Sequence, residues 1–438
     1  MSASHEDVRV KVISRLRESI LHIIDYIRSS KHEIYLSLRQ QLEEYKGLIN
    51  RREDVPLIIK NEKIIKGVGI PDIEVFGGRI LIEVKVKPSE FESGFEQLSR
   101  YATFYPYAEY AIITDYDDWE FYRVEQGKLS KASRINLDYI IEAILIKGVR
   151  VPLSTENVRN MFKSVVLLEP ELYQIFETYE IKNDALFEAY QNIMKRLYEK
   201  ASEREVQKLF IEHTLMQMIV SSCLTVSSQK KTTAVRACSG ADMEAEVVLP
   251  YLKWWEPLRE VCKSLDNEFL NSLVESIYSR AMLLEWEKGG EDDVFRELYE
   301  ILIHPDTRRK IGEYYTPLWL VEYMIDKLVK DIGGLKGKIV LDPFCGSGTF
   351  LVAAFYRKVQ GGEDPDDAIR EVIGFDINPL AVSIARAELM IAYQSERKGI
   401  VTPLIFNTDS ASLLLRKQGE WVSSSFLREL RAIEKKIE

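Results

Sequence analysis

The stretch KIVLDPFCGSGTF, residues 338–350, decides the fold of the C-terminal part of this chain. It begins with an apolar run, Ile339–Leu341, that is typical of a buried strand. A turn with two glycines, Gly346 and Gly348, follows, and Phe350–Lys358 then has the apolar spacing of a helix. Glycines let the backbone approach a ligand closely, and a helix N-terminus offers free N–H groups to an anion. The stretch therefore predicts a ligand-binding turn between a strand and a helix.

The common phosphate-binding patterns do not fit this turn. The pattern GxxxxGK[ST] is absent from the whole chain, and GxGxxG is not formed here. Further strands are predicted at Val372–Phe375 and Leu404–Phe406, with a helix at Pro379–Tyr393 between them. Alternating strands and helices of this kind favour a parallel sheet.

Acidic residues follow the later strands. Asp376 ends the second strand, where a carboxylate can accept hydrogen bonds from both ribose hydroxyls. Its distance from the glycine turn is longer than usual, and we attribute the excess to an insertion at Gln360–Asp367. Asp409 follows the third strand, where it could accept a hydrogen bond from an adenine amino group or simply cap a helix. The sequence leaves both roles of Asp409 open.

This region resembles the DNA N6-adenine methyltransferases of type I and type IIG restriction systems. Residues 342–349, DPFCGSGT, match their first cofactor motif, and residues 312–317, GEYYTP, match the motif that precedes it. The resemblance implies a Rossmann-like sheet that binds S-adenosyl-L-methionine. The binding residues that it implies are Thr316, Asp342, Phe344, Gly346, Gly348, Asp376 and Asp409.

The segment that holds the target base in this class is not found. It reads Asn/Asp-Pro-Pro-Tyr/Phe and stacks on a flipped base, yet none of the 14 prolines is followed by another. Ser410–Glu438 is too short for the remaining strands and a recognition domain, and from Phe426 it has the pattern of an amphipathic helix. We therefore expect only the N-terminal part of a methyltransferase domain, with the rest in a missing C-terminal part or a second chain.

A second informative stretch, PDIEVFGGRILIEVKVK, spans residues 71–87. The pair Gly77-Gly78 between two alternating runs predicts a two-residue hairpin turn. That register places Asp72 opposite Glu83, with Cβ atoms about 5 Å apart, and Lys85 on the same face. The other face is predicted to be core and consists of Ile73, Val75, Ile80, Ile82, Val84 and Val86.

Two carboxylates held this close repel each other unless a cation lies between them. Mg²⁺ is bound by one or two carboxylates together with water and phosphate oxygens. Such an ion can activate water and stabilise the charge that grows on a phosphodiester during hydrolysis. Lys85 could orient the attacking water or neutralise the phosphate. A surface hairpin with ordinary salt bridges is the competing interpretation.

The hairpin resembles the PD-(D/E)xK nuclease superfamily through Pro71-Asp72 and Glu83-Val84-Lys85. Gln97 and Tyr101 share one helical face and resemble the QxxxY helix of one branch. The resemblance implies Asp72 and Glu83 as Mg²⁺ ligands, Lys85 as the catalytic lysine, and double-stranded DNA as the substrate. Gln97 and Tyr101 would contact DNA or support the site. A further acid is expected from an earlier helix, and both Glu43 and Glu44 are eligible.

The pattern divides the 438 residues into three zones. We predict a multidomain α/β protein with a nuclease domain at 1–135, a helical connector at 136–305 and a partial methyltransferase sheet at 306–438. Within the connector, Leu209–Val226 is predicted to be a buried helix, because charged and polar residues interrupt it. The basic segment Ser227–Gly240 is predicted to be an exposed loop.

Composition agrees with an intracellular DNA enzyme. The net charge of -10 limits DNA contact to local basic patches. No signal peptide or uncharged span is visible, and the four cysteines lack metal-ligand spacing, so we expect a cytoplasmic protein without a membrane partner. The favoured function is Mg²⁺-dependent DNA cleavage within a restriction-modification enzyme. The alternative is a non-catalytic cofactor-binding or assembly subunit of a split or degenerate system.

Overall fold

The computed structural model describes residues 4–30, 58–60, 70–198, 201–229, 232–241, 243, 247–261, 264–286, 293–303, 308 and 316–410. Over these ranges the protein has a mixed α/β fold with three sheets. Several predicted features lie outside the described residues. They are Glu43 and Glu44 of the expected earlier helix, residues 312–315 of the GEYYTP motif, and the tail helix from Phe426.

The N-terminal region is built on a six-stranded sheet whose strand order follows the chain. Its strands are β1 (Ile58–Lys60), β2 (Ile73–Val75), β3 (Ile80–Val84), β4 (Tyr110–Thr114), β5 (Trp119–Glu125) and β6 (Lys128–Lys131). Its helices are α1 (His5–Ser29), α2 (Phe91–Tyr101) and α3 (Leu137–Lys147). Only β3 and β4 pair in parallel among these strands. Strand β6 was not predicted from the sequence.

The β2–β3 hairpin has the predicted register, with Ile73 opposite Ile82 and Val75 opposite Ile80. Gly77 and Gly78 have φ values of +66° and +86°, which a tight turn of this type requires and which glycine adopts without strain. The apolar face of the hairpin is buried in one core with α1 and α3. Val86 was wrongly predicted to join that core; β3 ends at Val84, and Val86 is exposed.

The opposite face of the hairpin lies under α2. Leu98 and Tyr101 of α2 pack on Leu81 of β3 and Ile113 of β4 in a separate apolar cluster. Helix α2 therefore covers the face of the sheet that carries Asp72, Glu83 and Lys85.

A helical region follows the sheet. It consists of α4 (Thr155–Val166), α5 (Glu169–Thr178), α6 (Ala185–Leu197), α7 (Glu203–Ser227), α8 (Ala234–Ser239), α9 (Trp255–Val261), α10 (Ser264–Met282) and α11 (Arg296–Leu302). Two short strands within it, β7 (Val151–Pro152) and β8 (Leu284–Glu285), pair in parallel.

Helix α7 is the central helix of this region. By length and composition it is apolar enough to cross a membrane, but 94% of its apolar window is buried inside the protein, so the predicted buried helix is confirmed. The predicted exposed loop at Ser227–Gly240 is wrong over α8. Thr233 caps this short helix, and Ala237 and Cys238 are buried in the core.

The C-terminal region holds the predicted parallel sheet, in the order β11-β10-β9. Its strands are β9 (Val340–Asp342), β10 (Val372–Asp376) and β11 (Leu404–Asn407). Its helices are α12 (Leu318–Ile332), α13 (Thr349–Gln360), α14 (Pro365–Arg370) and α15 (Pro379–Glu396). The segment interpreted as an insertion leads into α14, which anchors it through buried Ala368 and Ile369.

A buried ion pair joins the hairpin to the helical region. Glu74 of β2 pairs with Arg280 of α10, and both side chains are 1% exposed. Tyr105 donates its hydroxyl to Glu74 at 2.5 Å, and Arg280 also donates to Ser164 Oγ of α4 at 3.0 Å. Buried charges are tolerated only when they are paired and hydrogen-bonded, so this cluster fixes the hairpin against α4 and α10.

Replacement of Arg280 tests this anchor. Arg280→Ala leaves the Glu74 carboxylate buried without its cation, and we expect a loss of about 3–5 kcal/mol in the free energy of unfolding. Urea denaturation followed by circular dichroism measures the change. The matched control is Lys131→Ala, which removes an exposed partner of Glu120 and should cost about 1 kcal/mol or less. Equal losses in the two variants would contradict the anchoring role.

Candidate functional site

Asp72 is held at the open end of the hairpin by a backbone donor. Its Oδ2 accepts a hydrogen bond from the Val84 amide at 2.8 Å. Asp72 lies just before β2 and Val84 is the last residue of β3. The bond therefore draws the Asp72 carboxylate to the end of β3 where Glu83 is located.

Lys85 connects this end of the hairpin to helix α2. Its Nζ donates to Glu83 Oε1 at 2.8 Å and to Gln97 Oε1 at 2.5 Å. The approach of α2 depends on Gly94, because a Cβ there would lie 3.1 Å from both Lys85 Cε and Ile113 Cγ2. Gly94 was not predicted as a site residue, although a glycine inside a helical pattern is a signal for close packing.

Tyr101 lies beside the two carboxylates but in an apolar setting. It is 2% exposed and belongs to the cluster beneath α2. Burial, and then the charges of Glu83 and Asp72, raise the pKa of its hydroxyl well above the usual range. The hydroxyl therefore stays protonated. The structure thus brings together Asp72, Glu83, Lys85, Gln97 and Tyr101.

Glu83 is the residue of this cluster whose negative charge is least favoured by its surroundings. Burial raises its pKa to about 7, with a further contribution from Asp72, while Lys85 opposes the shift. Its Oε2 is buried and has no hydrogen-bond partner among the described residues. A buried carboxylate oxygen without a donor, next to a second carboxylate, is a setting that a cation would stabilise.

The ligand set suits a cation that keeps much of its coordination for water. In the part of the chain that the structure describes, no group of three or more His, Cys, Asp or Glu side chains is arranged for a metal. Asp72 and Glu83 would supply two ligands, which is what Mg²⁺ takes from protein when water and phosphate oxygens supply the rest. The two carboxylates present among the described residues therefore fit Mg²⁺.

His5 is a neighbour of this cluster that the sequence analysis missed. Its Nε2 lies 2.8 Å from the Val84 carbonyl oxygen and 3.5 Å from Asp72 Oδ2. The hydrogen bond with Asp72 raises the pKa of His5. A single histidine near the N-terminus carries no local pattern, so only the packing of α1 against the sheet reveals it.

The glycine turn after β9 forms the second cluster. The Gly346 amide donates to Asp376 Oδ2 at 2.9 Å, and the Phe344 amide donates to Asp342 Oδ1 at 3.0 Å. Burial raises the pKa of both carboxyl groups. Gly348 has φ +94°, and a Cβ there would lie 3.0 Å from the Ala385 Cβ of α15. Glycine is therefore needed both for the backbone conformation and for the close packing of the turn on α15.

Strand register gathers the remaining candidates at one edge of the sheet. Gly374 lies opposite Asp342, and Asp376 opposite Asn407. The carboxyl ends of β9, β10 and β11 therefore share an edge, and Asp409 follows β11 there.

Phe344 is 64% exposed. Thr316 directly precedes the helix cap Pro317 of α12, and no contact of its side chain with another described residue places it at the turn.

A buried carboxylate lies under this turn. Ser347 Oγ and Thr349 Oγ1 donate to Asp293 Oδ2 at 2.9 and 2.6 Å. Asp293 precedes α11 and is far from the turn in the sequence. No motif spacing pointed to it.

Comparison with known proteins finds relatives for the part of the chain that contains this second cluster. Residues 290–411 match the family model described as N-6 DNA Methylase. The chain is 33% identical over 121 residues to the adenine-specific methyltransferase PglX of Streptomyces coelicolor, an alignment that covers 24% of this chain and 10% of that protein. It is 32% identical over 102 residues to the type I restriction enzyme MjaIX methylase subunit of Methanocaldococcus jannaschii, covering 23% and 17%.

Among solved structures, the DrdV–DNA complex aligns with 96% of this chain and 42% of that chain, at 14% identity and a TM-score of 0.41. The chain spans only 10% and 17% of the length of the two curated relatives. Residues 290–411 thus resemble the N6 adenine methyltransferase segment of restriction-modification enzymes, and the matched family implies S-adenosylmethionine as the cofactor.

The raised pKa of Glu83 makes the stability of the fold depend on pH. Folded Glu83 holds its proton more tightly than the unfolded chain does, so its favourable contribution is complete below about pH 4.5 and is lost as the pH rises through about 7. Glu83→Gln removes this dependence. We expect the variant to be more stable than the parent at pH 8, by about 1 to 3 kcal/mol, and the difference to shrink towards pH 5.

Urea denaturation at both pH values measures this difference. Glu92→Gln on the exposed side of α2 is the control and should follow the parent protein at both values. Parallel pH profiles for Glu83→Gln and the parent would contradict the electrostatic account of Glu83.

Proposed function

We propose that this chain is part of a DNA restriction-modification enzyme. In this proposal the six-stranded sheet with α1 and α2 is a PD-(D/E)xK nuclease domain that cleaves double-stranded DNA with Mg²⁺. The three-stranded parallel sheet is the first part of a Rossmann-like domain that binds S-adenosylmethionine. One observation carries the cleavage proposal. The buried Oε2 of Glu83, which has no hydrogen-bond partner among the described residues, lies in a cluster with Asp72 and Lys85.

The residues of the hairpin site would act as follows. Asp72 and Glu83 would hold Mg²⁺, which supplies a Lewis acid and an activated water when it is bound. Lys85, fixed between Glu83 and Gln97, carries a charge that can neutralise a phosphate oxygen or orient the water. Gln97 holds that ammonium group in place, and Tyr101 excludes water from the floor of the site.

The residues of the glycine turn would bind the cofactor at the carboxyl edge of the sheet. Asp376 is placed to accept hydrogen bonds from the ribose hydroxyls. Exposed Phe344 offers an apolar surface to the adenine ring, and Asp409 could accept a bond from its amino group. The N-terminus of α13 and the glycines present backbone N–H groups to the carboxylate of the cofactor. Thr316 would pack on the cofactor, as the family resemblance implies.

We propose that methylation requires strands that pair with β9. Among the described strands, β9 lies at an edge of its sheet. Leu341 within β9 and Ile339 just before it are largely exposed. Exposed apolar residues at a sheet edge are a liability unless another element covers them. A further part of the same polypeptide or a second chain would supply the cover, together with the target-base motif.

The same exposed surface supports a second candidate function. A subunit that binds cofactor and a partner chain without cleaving DNA would need such a surface but would not need the hairpin cluster. Nuclease assays of hairpin variants separate the two functions. In both cases we propose a cytoplasmic location, where DNA and S-adenosylmethionine are both available.

Cleavage is tested on plasmid DNA in the presence of Mg²⁺. Asp72→Asn, Glu83→Gln and Lys85→Ala should each lower nicking and linearisation by at least about 100-fold, because each removes a charge from the site. The matched control Glu92→Gln changes a nearby exposed carboxylate and should retain activity. Undiminished cutting by the three hairpin variants would show that another site cleaves the DNA.

Cofactor binding is tested by calorimetric titration with S-adenosylmethionine. Asp376→Ala removes both the proposed ribose acceptor and the bond to the Gly346 amide, so we expect affinity to fall at least about tenfold, which is a loss of 1.4 kcal/mol. Asp331→Ala removes an exposed carboxylate at the end of α12 and should bind like the parent. Equal affinity of the parent and Asp376→Ala would refute the assignment of Asp376.

A further inference from the structure

We infer that Asp293 is a positioning residue for the glycine turn: its buried carboxylate holds the hydroxyls of Ser347 and Thr349 and thereby sets the shape of the turn before any cofactor binds. The role in cofactor affinity rests on the proposed function. The role in the shape of the turn does not, because it concerns only contacts within this chain.

The contacts of the turn separate into two sets. On one side, the Cys345 amide donates to the Phe375 carbonyl at 2.9 Å, and the Gly346 amide donates to Asp376 Oδ2 at 2.9 Å. On the other side, Ser347 and Thr349 donate to Asp293. Because Asp376 is also the proposed ribose acceptor, Asp293 provides the anchor that the cofactor does not compete for.

Burial makes the anchor strong and specific. Asp293 and Ser347 are each 2% exposed, and Thr349 is 8% exposed. A hydroxyl buried to this degree must find an acceptor, and a charged acceptor forms the shorter and stronger bond. The 2.6 Å bond from Thr349 has the length expected of a hydroxyl bonded to a carboxylate.

A second carboxyl group lies next to Asp293. Glu388 of α15 accepts a hydrogen bond from the Phe295 amide at 2.7 Å. Burial and the neighbouring Asp293 raise the pKa of Glu388 well above its usual range. Both loop hydroxyls bond to Asp293 Oδ2, while the buried Asp293 Oδ1 has no hydrogen-bond partner among the described residues.

Asp293 is itself fixed by the helical region. Thr155 Oγ1 of α4 donates to the Asp293 carbonyl oxygen at 3.0 Å, and Arg159 of α4 pairs with Glu297 of α11 at 2.7 Å. Helices α4 and α11 therefore fix the position of the carboxylate. The glycine turn is thus held by contacts with helices that lie outside its own sheet.

Amide hydrogen exchange of the full chain, read by mass spectrometry over residues 344–350, tests this inference without cofactor. Asp293→Asn removes the negative charge that strengthens both hydroxyl bonds and leaves only a neutral amide oxygen as acceptor, so exchange in the turn should accelerate by about tenfold or more. Strand β10 should keep its protection. The matched control is Glu363→Gln, another buried acid of this region, which pairs with Lys358 away from the turn. It should leave exchange of the turn unchanged.

A second pair of variants keeps the test decisive if Asp293→Asn does not fold. Thr349→Ala should also accelerate exchange of the turn, and Thr349→Ser, which keeps the hydroxyl, should restore the protection. If protection of the turn is the same in Thr349→Ala or folded Asp293→Asn as in the parent, the inference is overturned. Loss of protection in β10 to the same extent as in the turn also overturns it, because the role would then be general stability.

Calorimetry links this inference to the proposed function. If the parent binds S-adenosylmethionine, Asp293→Asn should bind it about tenfold more weakly, while Glu363→Gln binds like the parent. If the parent does not bind, the proposed cofactor function fails for this chain, and the exchange experiment still decides the role of Asp293. Equal cofactor affinity in the parent and folded Asp293→Asn would overturn the positioning role.

Discussion

The crowding of Asp72 and Glu83 at the open end of one hairpin is the constraint on which the candidate nuclease site depends. Burial, and then the charge of Asp72, raise the pKa of Glu83, and Lys85 only partly opposes this shift. The fold keeps them together by other means. The Val84 amide holds Asp72, and helix α2 presses Gln97 onto Lys85. Electrostatic cost of this kind, offset by packing elsewhere, is typical of functional sites.

The helical region is a support for both clusters. Through Arg280 it holds Glu74, which lies two residues from Asp72 on the same strand face. Through the segment before α11 it presents Asp293 to the glycine turn. In each case a buried charged residue from outside the sheet fixes the element that carries the site. This arrangement explains how a region without candidate catalytic residues can determine the geometry of two sites.

The features that the sequence predicted well are those that local periodicity determines. The Gly77-Gly78 pair and the alternation of β2 and β3 set the register of the hairpin, since a shift of one residue would turn Glu83 to the apolar face. Contacts between distant segments were not predicted from the sequence. They join His5 to Asp72, Arg280 to Glu74, and Asp293 to the glycine turn. The wrong prediction of an exposed loop at α8 has a similar cause. Packing against distant segments makes part of this polar stretch a helix with buried residues.

The central claim is that Asp72 and Glu83 bind a divalent cation, and iron-directed cleavage of the polypeptide tests it most directly. Fe²⁺ that replaces Mg²⁺ generates hydroxyl radicals with ascorbate and peroxide, and these cut the backbone near the bound ion. We predict fragments that end near residues 72 and 83–85 and that disappear when excess Mg²⁺ competes. Cleavage elsewhere in the chain, or fragments that excess Mg²⁺ does not suppress, would contradict the account.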